Sequence, residues 1–322
     1  MAWEPLAYSR DTPIKKISEF EVIKKYFSNI GGEFHRRNKI ALGVGDDCAE
    51  VASKKNLLIS CDTSVENVHF YKEMNPKYIA YRSCAIALSD INAMGGQPLG
   101  YQVSLSTKEK NTSFYKDLAK GFQLFSKKYR IGLIGGDIIR GQLQLSITII
   151  GEPYNKAIKR SGAKNGDCLC IGGKLGEGKL ARLATKKSFT HKQSTAAYLT
   201  PEIKLEYGYM LSKYASSAID ISDGFLQDLQ HLSEASDIGF NLNKDSIPIA
   251  KGISFQDAVK CGDDYQILFT IPSSKISAAQ LEFRRRKLDL HLIGKAIPNK
   301  KLQMDSIKTV SYTHLRAHET EA

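Results

Sequence analysis

Two hydrophobic periods alternate along the chain, and their alternation lays out its elements. "SEFEVIKKYFSNI" (18–30) carries Phe20, Ile23, Phe27 and Ile30 at helical spacing behind a Ser18–Glu21 capping box, which predicts an amphipathic helix. "NLLISCD" (56–62) is a short apolar run with the length of a buried strand. "PKYIAYRSCAIALSDINAMGG" (76–96) reads as a helix with Pro76 in its first turn and Gly95 to stop it. A strand at 101–107, a helix at 113–129 and strands at 131–137 and 143–151 follow. The polar stretch 152–167 then interrupts the pattern. Strand resumes at "CLCIGG" (168–173), followed by helices at about 176–187 and 201–214, a strand and turn at 216–224 and a helix at 225–236. A strand at 263–272, a helix at 277–288 and a strand at 290–297 complete the second half. Neither half keeps a strict strand–helix–strand alternation, so the chain predicts an α+β fold of two domains, 17–152 and 153–309, and not one doubly wound sheet.

Composition narrows the class. With 322 residues, 42% hydrophobic and 25% charged, the chain is long enough for about two globular domains. It has no apolar run long enough to span a bilayer and no secretory pattern at Met1, so a cytoplasmic protein without a membrane partner is expected. Six cysteines, at 48, 61, 84, 168, 170 and 261, form no CxxC pair; they are read as small buried thiols in a reducing compartment. Lysine and arginine exceed aspartate and glutamate by 46 − 34 = +12, a charge that attracts anions. No nucleic-acid motif accompanies the "FRRRKL" cluster, so nucleic acid is not expected as a partner. A non-enzymatic anion-binding protein remains an alternative on charge alone.

Against this basic background, aspartates collect where strands end and turns begin: Asp46 and Asp47 in "GVGDDCAEV", Asp62, Asp137, Asp220, Asp223, Asp263 and Asp264. Such positions ordinarily hold turn formers and caps. Asp90 is different, because at 3.6 residues per turn it shares a stripe with Ile79, Ser83 and Ile86 and so rides the apolar face of its helix. A buried carboxylate needs a cation, and that stripe offers no lysine or arginine. Either an arginine arrives from elsewhere or a metal does; an oxygen-only donor set selects a hard ion such as Mg2+, held against a polyphosphate. The chain has no GxxxxGK[ST] and no strand-linked GxGxxG, so a phosphoryl-transfer enzyme built this way would use another fold.

Seven motifs in order, "GVGDDCAEV", "SCDTSVENVHF", "ALSDINAMGGQP", "LIGGD", "RSGAKNGD", "SAIDISDGFLQDL" and "GDDYQILF", resemble the thiamine-monophosphate kinases within the aminoimidazole ribonucleotide synthetase superfamily. The resemblance runs from about residue 17 to about 305. It implies an N-terminal α+β domain that binds ATP and dimerises, and an α+β C-terminal domain. It implies Mg2+ ligands at Asp47, Ser60, Cys61, Asp62, Asp90, Asp137, Asp220 and Asp223, with Asp62, Asp137 and Asp220 serving catalysis through metal. Gly136, Asp137, Arg160 and Ser222 would contact ATP, and His69 and Asp263 would face thiamine monophosphate. The implied reaction needs no general base, because the acceptor phosphate has a second pKa of about 6.

Cys61 and Ile138 stand where the family has threonine, and Asp263 where it has glutamate. "VSYTHLRAHETEA" (310–322) resembles a translated sequencing adapter and is expected not to be native, which removes the family's C-terminal aromatic. Sister ATP-dependent enzymes, the purine-pathway synthetase first among them, are the runner-up, and "VENVHF" argues against that one.

Overall fold

In the computed structural model, residues 18–45, 48–109, 111–187 and 195–304 are described. The first half contains strands β1 (Ile40–Leu42), β2 (Glu50–Val51), β3 (Leu58–Val65), β4 (Gly96–Ser106), β5 (Gly132–Ile139) and β6 (Gln144–Pro153), with helices α1 (Glu19–Val22), α2 (Pro76–Ala93) and α3 (Thr112–Tyr129). The capping box forms, with the Ser18 hydroxyl donating to Glu21 at 2.8 Å, but after Val22 the helix widens into a π-helical turn over Ile23–Phe27. Strands β3 to β6 make one sheet in the order β3-β6-β4-β5, antiparallel except for the β4–β5 pair. Alternation decides its faces. Leu145, Ile147 and Ile149 on β6 point into a core closed by α2 and α3, while Ser146 and Thr148 lie on the other face.

Helix α2 is buried almost all round, which explains its small residues. Asn75 caps it by accepting the Lys77 N–H at 2.9 Å, and Gly95 ends it at φ 69°. One side of α2 packs on α3, β3 and β6; the other meets elements of the second half. Those are α4 (Glu177–Lys187), α5 (Ala196–Leu199), α6 (Glu206–Tyr214), α7 (Phe225–Ser236), α8 (Phe255–Lys260) and α9 (Ile276–Arg285), with strands β7 (Cys168–Gly172), β8 (Ser217–Ile221), β9 (Gly239–Leu242), β10 (Gln266–Ile271), β11 (His291–Ile297) and β12 (Leu302–Met304). The second sheet runs β12-β9-β11-β7-β10-β8 and is covered on both faces. Leu169 and Ile171 face the Phe225 and Leu229 side, Cys168 and Cys170 the Phe269 and Phe283 side. The outcome is the two-domain α+β arrangement predicted above, with α2 lying between the sheets.

Two expectations change. The helix read over 201–214 begins only at Glu206. Residues 201–205 instead cross the α2–α3 core, where Ile203 is buried and its N–H donates to the Tyr129 hydroxyl at 2.9 Å. A tertiary contact has outweighed helix propensity there. Not all cysteines are core thiols either. Cys84, Cys168 and Cys170 are buried, but Cys48 and Cys61 are exposed, Cys61 because the pleat of β3 turns it outward.

Candidate active site

Period two along β3 sends Ser60 and Asp62 toward α2, and the helical stripe of α2 brings Asp90 to meet them. Ser60 donates its hydroxyl to Asp90 Oδ2, and Asp62 is hydrogen-bonded to Asp90. From the other sheet Asp220, near the end of β8, arrives with 4% of its surface exposed. Burial, then the charge of Asp90, pushes Asp62 up to about 6. Burial, with Asp90, Asp228 and Asp62 around it, pushes Asp220 up to about 7. Among the described residues no lysine, arginine or histidine forms an ion pair with these three carboxylates. The buried Ser89 hydroxyl faces Asp220, and its hydrogen bond to that carboxylate offsets part of the rise. Crowded carboxylates without a paired cation, with the Ser60 and Ser89 hydroxyls beside them, form an oxygen-only donor set that fits Mg2+.

The turn after β8 carries Ser222 and Asp223. It is held by Asp228, whose Oδ2 accepts the N–H groups of Ser222, Asp223 and Gly224 at 3.1, 3.2 and 3.1 Å. The amides of this turn are therefore occupied, leaving the Ser222 hydroxyl and Asp223 carboxylate as its outward groups. Among the described residues Asp223, Asp228 and His231 are the trio whose ligand atoms lie within 4.8 Å of one another. The commitment of Asp228 to three amides makes that trio a scaffold for the turn. The Asp62–Asp90–Asp220 group is more widely spaced, so these carboxylates would hold Mg2+ in an open site and not in a closed cage.

Beside the carboxylates lies a mixed aromatic and cationic wall. His69 follows β3, and the Val65 N–H donates to its Nδ1 at 3.1 Å, which leaves the ring proton on Nε2 as an outward donor. Burial, then the charges of Arg82 and Arg182, lower the His69 pKa and keep the ring neutral at pH 7. Asp263 sits opposite, in an ion pair with Arg82 at 2.5 Å, and Arg182 is 3.9 Å from its other oxygen. Tyr198 donates its hydroxyl to the His69 carbonyl at 2.9 Å, and its ring centre lies 6.0 Å from that of Tyr71. Arg82, Ser89, Tyr198 and Asp228 are absent from the sequence reading. A lone arginine in a helix of small apolar residues was the one available signal, and it is visible only in retrospect.

The remaining expected residues fall elsewhere. Asp47 lies outside the described residues. The Cys61 side chain points away from Ser60 and Asp62. Gly136 and Asp137 are on β5, at the opposite edge of the sheet from β3. Asp62 is in register with Ile147, Val103 and Gly136 in turn, three strand spacings or about 14 Å. Gly136 is glycine for a local reason: at φ 150° a Cβ would stand 2.0 Å from the Val103 carbonyl oxygen. Arg160 follows Lys159, whose carbonyl accepts the Ala218 N–H at 3.0 Å, and its own carbonyl accepts from the Ser236 hydroxyl at 2.8 Å, so its backbone lies beside the start of β8, the strand that carries Asp220 and leads to Ser222.

The profile of the AIR synthase related protein, N-terminal domain, matches residues 45–152. A thiamine-monophosphate kinase of Buchnera aphidicola from Schizaphis graminum is 35% identical, over 86% of this chain and 90% of its own. The crystal structure of thiamine-monophosphate kinase from Stenotrophomonas maltophilia K279a superposes with a TM-score of 0.79 at 28% identity, covering 90% of this chain and 98% of that one. The protein AaThiL, solved in complex with AMPPCP and TMP, shares the fold with a TM-score of 0.72 at 24% identity, over 94% of this chain and 98% of its own.

Proposed function

The chain belongs to the thiamine-monophosphate kinase family, and from that premise we infer that it transfers the γ-phosphoryl group of ATP to thiamine monophosphate, giving ADP and thiamine diphosphate. The observation that carries the reading is the meeting of Asp62, Asp90 and Asp220 from two domains with no cation paired to them among the described residues. Asp62, Asp90, Asp220, Ser60 and Asp223 would hold Mg2+. Bound there, Mg2+ supplies the positive charge that lets two polyanions approach and that offsets charge on the transferring group.

The chain's own residues then align the reactants. Asp228 fixes the turn that aims Ser222 and Asp223 at ATP. His69 offers Nε2–H, and Asp263 one carboxylate oxygen, to thiamine monophosphate. No side chain is needed as a base, because the acceptor oxygen is largely ionised at neutral pH.

We place the domain boundary at 152/153, at the end of β6, where the chain leaves the first sheet. Six free thiols support a reducing compartment such as the cytoplasm. A homodimer is supported by the open face and edges of the β3–β6 sheet, where Ile59 is 65% and Ile139 50% exposed. It also accounts for Gly136 and Asp137. At about 2.1 Å per metal–oxygen bond one ion cannot reach both Asp62 and Asp137 in a single protomer, whereas the β5 edge of a partner could meet the β3 edge of this chain.

The deciding experiment is ADP and thiamine diphosphate formation with ATP and Mg2+, with and without thiamine monophosphate, using the aminoimidazole precursor as control substrate. ADP formed only with thiamine monophosphate is the expected result. ADP formed only with the control would assign the chain to the sister reaction.

A further inference from the structure

The geometry points to Arg82 as a positioning residue that sets the Asp263 carboxylate for the substrate across the junction of the two domains; this rests on the substrate role proposed for Asp263. Arg82 is 2% exposed, on a helix whose neighbours are small or apolar, so its charge must be held by partners. Its fork is divided. Nη2 donates to Asp263 Oδ1 at 2.5 Å, Nη1 donates to the Tyr198 carbonyl at 2.9 Å, and the guanidinium carbon lies 4.0 Å from the centre of the Tyr198 ring. Tyr265 donates its hydroxyl to the same Oδ1 at 3.0 Å. One carboxylate oxygen thus has two donors. The other, Oδ2, has among the described residues only Arg182 near it, at 3.9 Å, and the Asp263 side chain is 23% exposed. A carboxylate gripped through one oxygen has a fixed plane and presents the other outward.

The backbone is held to the same end. Asp263 and Tyr265 adopt φ 69° and 50°, left-handed values that a non-glycine residue keeps only where its surroundings hold it. Their amides are tied to Ser222 and Ile221 at 2.9 and 2.8 Å, so the substrate carboxylate is braced against the turn that carries Ser222 and Asp223. Arg82 comes from α2, whereas Asp263 and Tyr265 precede β10 of the other sheet. The carboxylate therefore has its set geometry only when the two domains are docked.

Lysine at position 82 keeps the charge but cannot bond Asp263 and the Tyr198 carbonyl together while stacking on the ring. Steady-state kinetics on the whole protein test the inference. Arg82→Lys is expected to raise KM for thiamine monophosphate about tenfold, and Tyr265→Phe about threefold, with KM for ATP within about twofold of wild type. Arg82→Lys combined with Asp263→Asn is expected to be no worse than Asp263→Asn alone. Should Arg82→Lys not fold, Tyr265→Phe, which loses one hydroxyl from an intact ring, gives the same readout alone and with Asp263→Asn. The inference is overturned if Asp263→Asn raises KM for thiamine monophosphate while the folded variants at 82 and 265 leave it unchanged, or if the effects simply add. An unchanged KM in Asp263→Asn would remove the substrate role of Asp263, and this inference with it. Failure of the wild type to phosphorylate thiamine monophosphate would instead overturn the reaction.

Discussion

Burial, together with the neighbouring Asp90, pushes Asp220 up to about 7 from the usual 3.8, so the folded chain without metal favours its protonated form. The sign follows. A carboxyl whose folded value is raised contributes its full stability below the unfolded value and loses it as pH rises through the folded one. In EDTA, wild type is therefore expected to lose stability relative to Asp220→Asn between about pH 4 and pH 7, by on the order of 5 °C in Tm. Melting curves across that range check this, and a constant difference would show that Asp220 is not strained by its neighbours. With Mg2+ at pH 8 the same variant is expected to lose at least about a hundredfold in turnover, since the donor set is broken. The Asp90 half of this cluster was legible in the sequence, because a carboxylate on an apolar helical stripe is costly wherever the helix packs. The Arg82–Asp263 pair was not, because its members lie 181 residues apart and nothing local to either marks the other.

Helix α2 serves both domains because it is packed on nearly every side, and its neighbour α3 approaches it through Gly121. A Cβ on Gly121 would stand 2.1 Å from the Lys77 carbonyl oxygen. Two effects oppose each other there. Alanine is the better helix former by about 1 kcal/mol, but the added methyl forces α2 and α3 apart, and overpacking costs about 1–3 kcal/mol. At so short a separation, with backbone as the obstacle, the clash is expected to win, and Gly121→Ala should be destabilised by about 2 kcal/mol in urea unfolding. A stabilised variant would mean that the helices can separate freely. The shift would also carry Asp90 away from β3, so activity is expected to fall with stability. The same dependence on neighbours explains why 201–205 departs from its helical reading. Ile203 gains more from covering the α2–α3 core than its segment gains from another helical turn.

For the assembly, the separation of Asp62 from Asp137 gives a direct test. Asp62→Asn and Asp137→Asn are each expected to be inactive alone. If each site is shared between two protomers, mixing the unfolded variants in equal amounts and refolding them together makes half the dimers mixed, and each mixed dimer has one intact site. About a quarter of wild-type activity is then expected. No recovery, in a mixture shown by sedimentation to be dimeric, would place Asp62 and Asp137 in the same protomer's site or in separate tasks. The exposed Ile59 beside Cys61 offers a second handle, since a charge there should weaken a dimer built on that sheet.

The order of strands and helices, the two-domain α+β class and the aspartates at strand ends follow from the sequence. Hydrophobic period and turn chemistry are local properties, written within a few residues of where they act. Which strand-end aspartates meet was decided by tertiary structure. Asp62, Asp90 and Asp220 converge because α2 is clasped between two sheets, while Asp137, equally plausible in its motif, is carried to the far edge of one sheet. Burial pressure acts over the whole packed surface, and it is that surface, not the spacing of motifs, that fixes distances between residues a hundred or more positions apart.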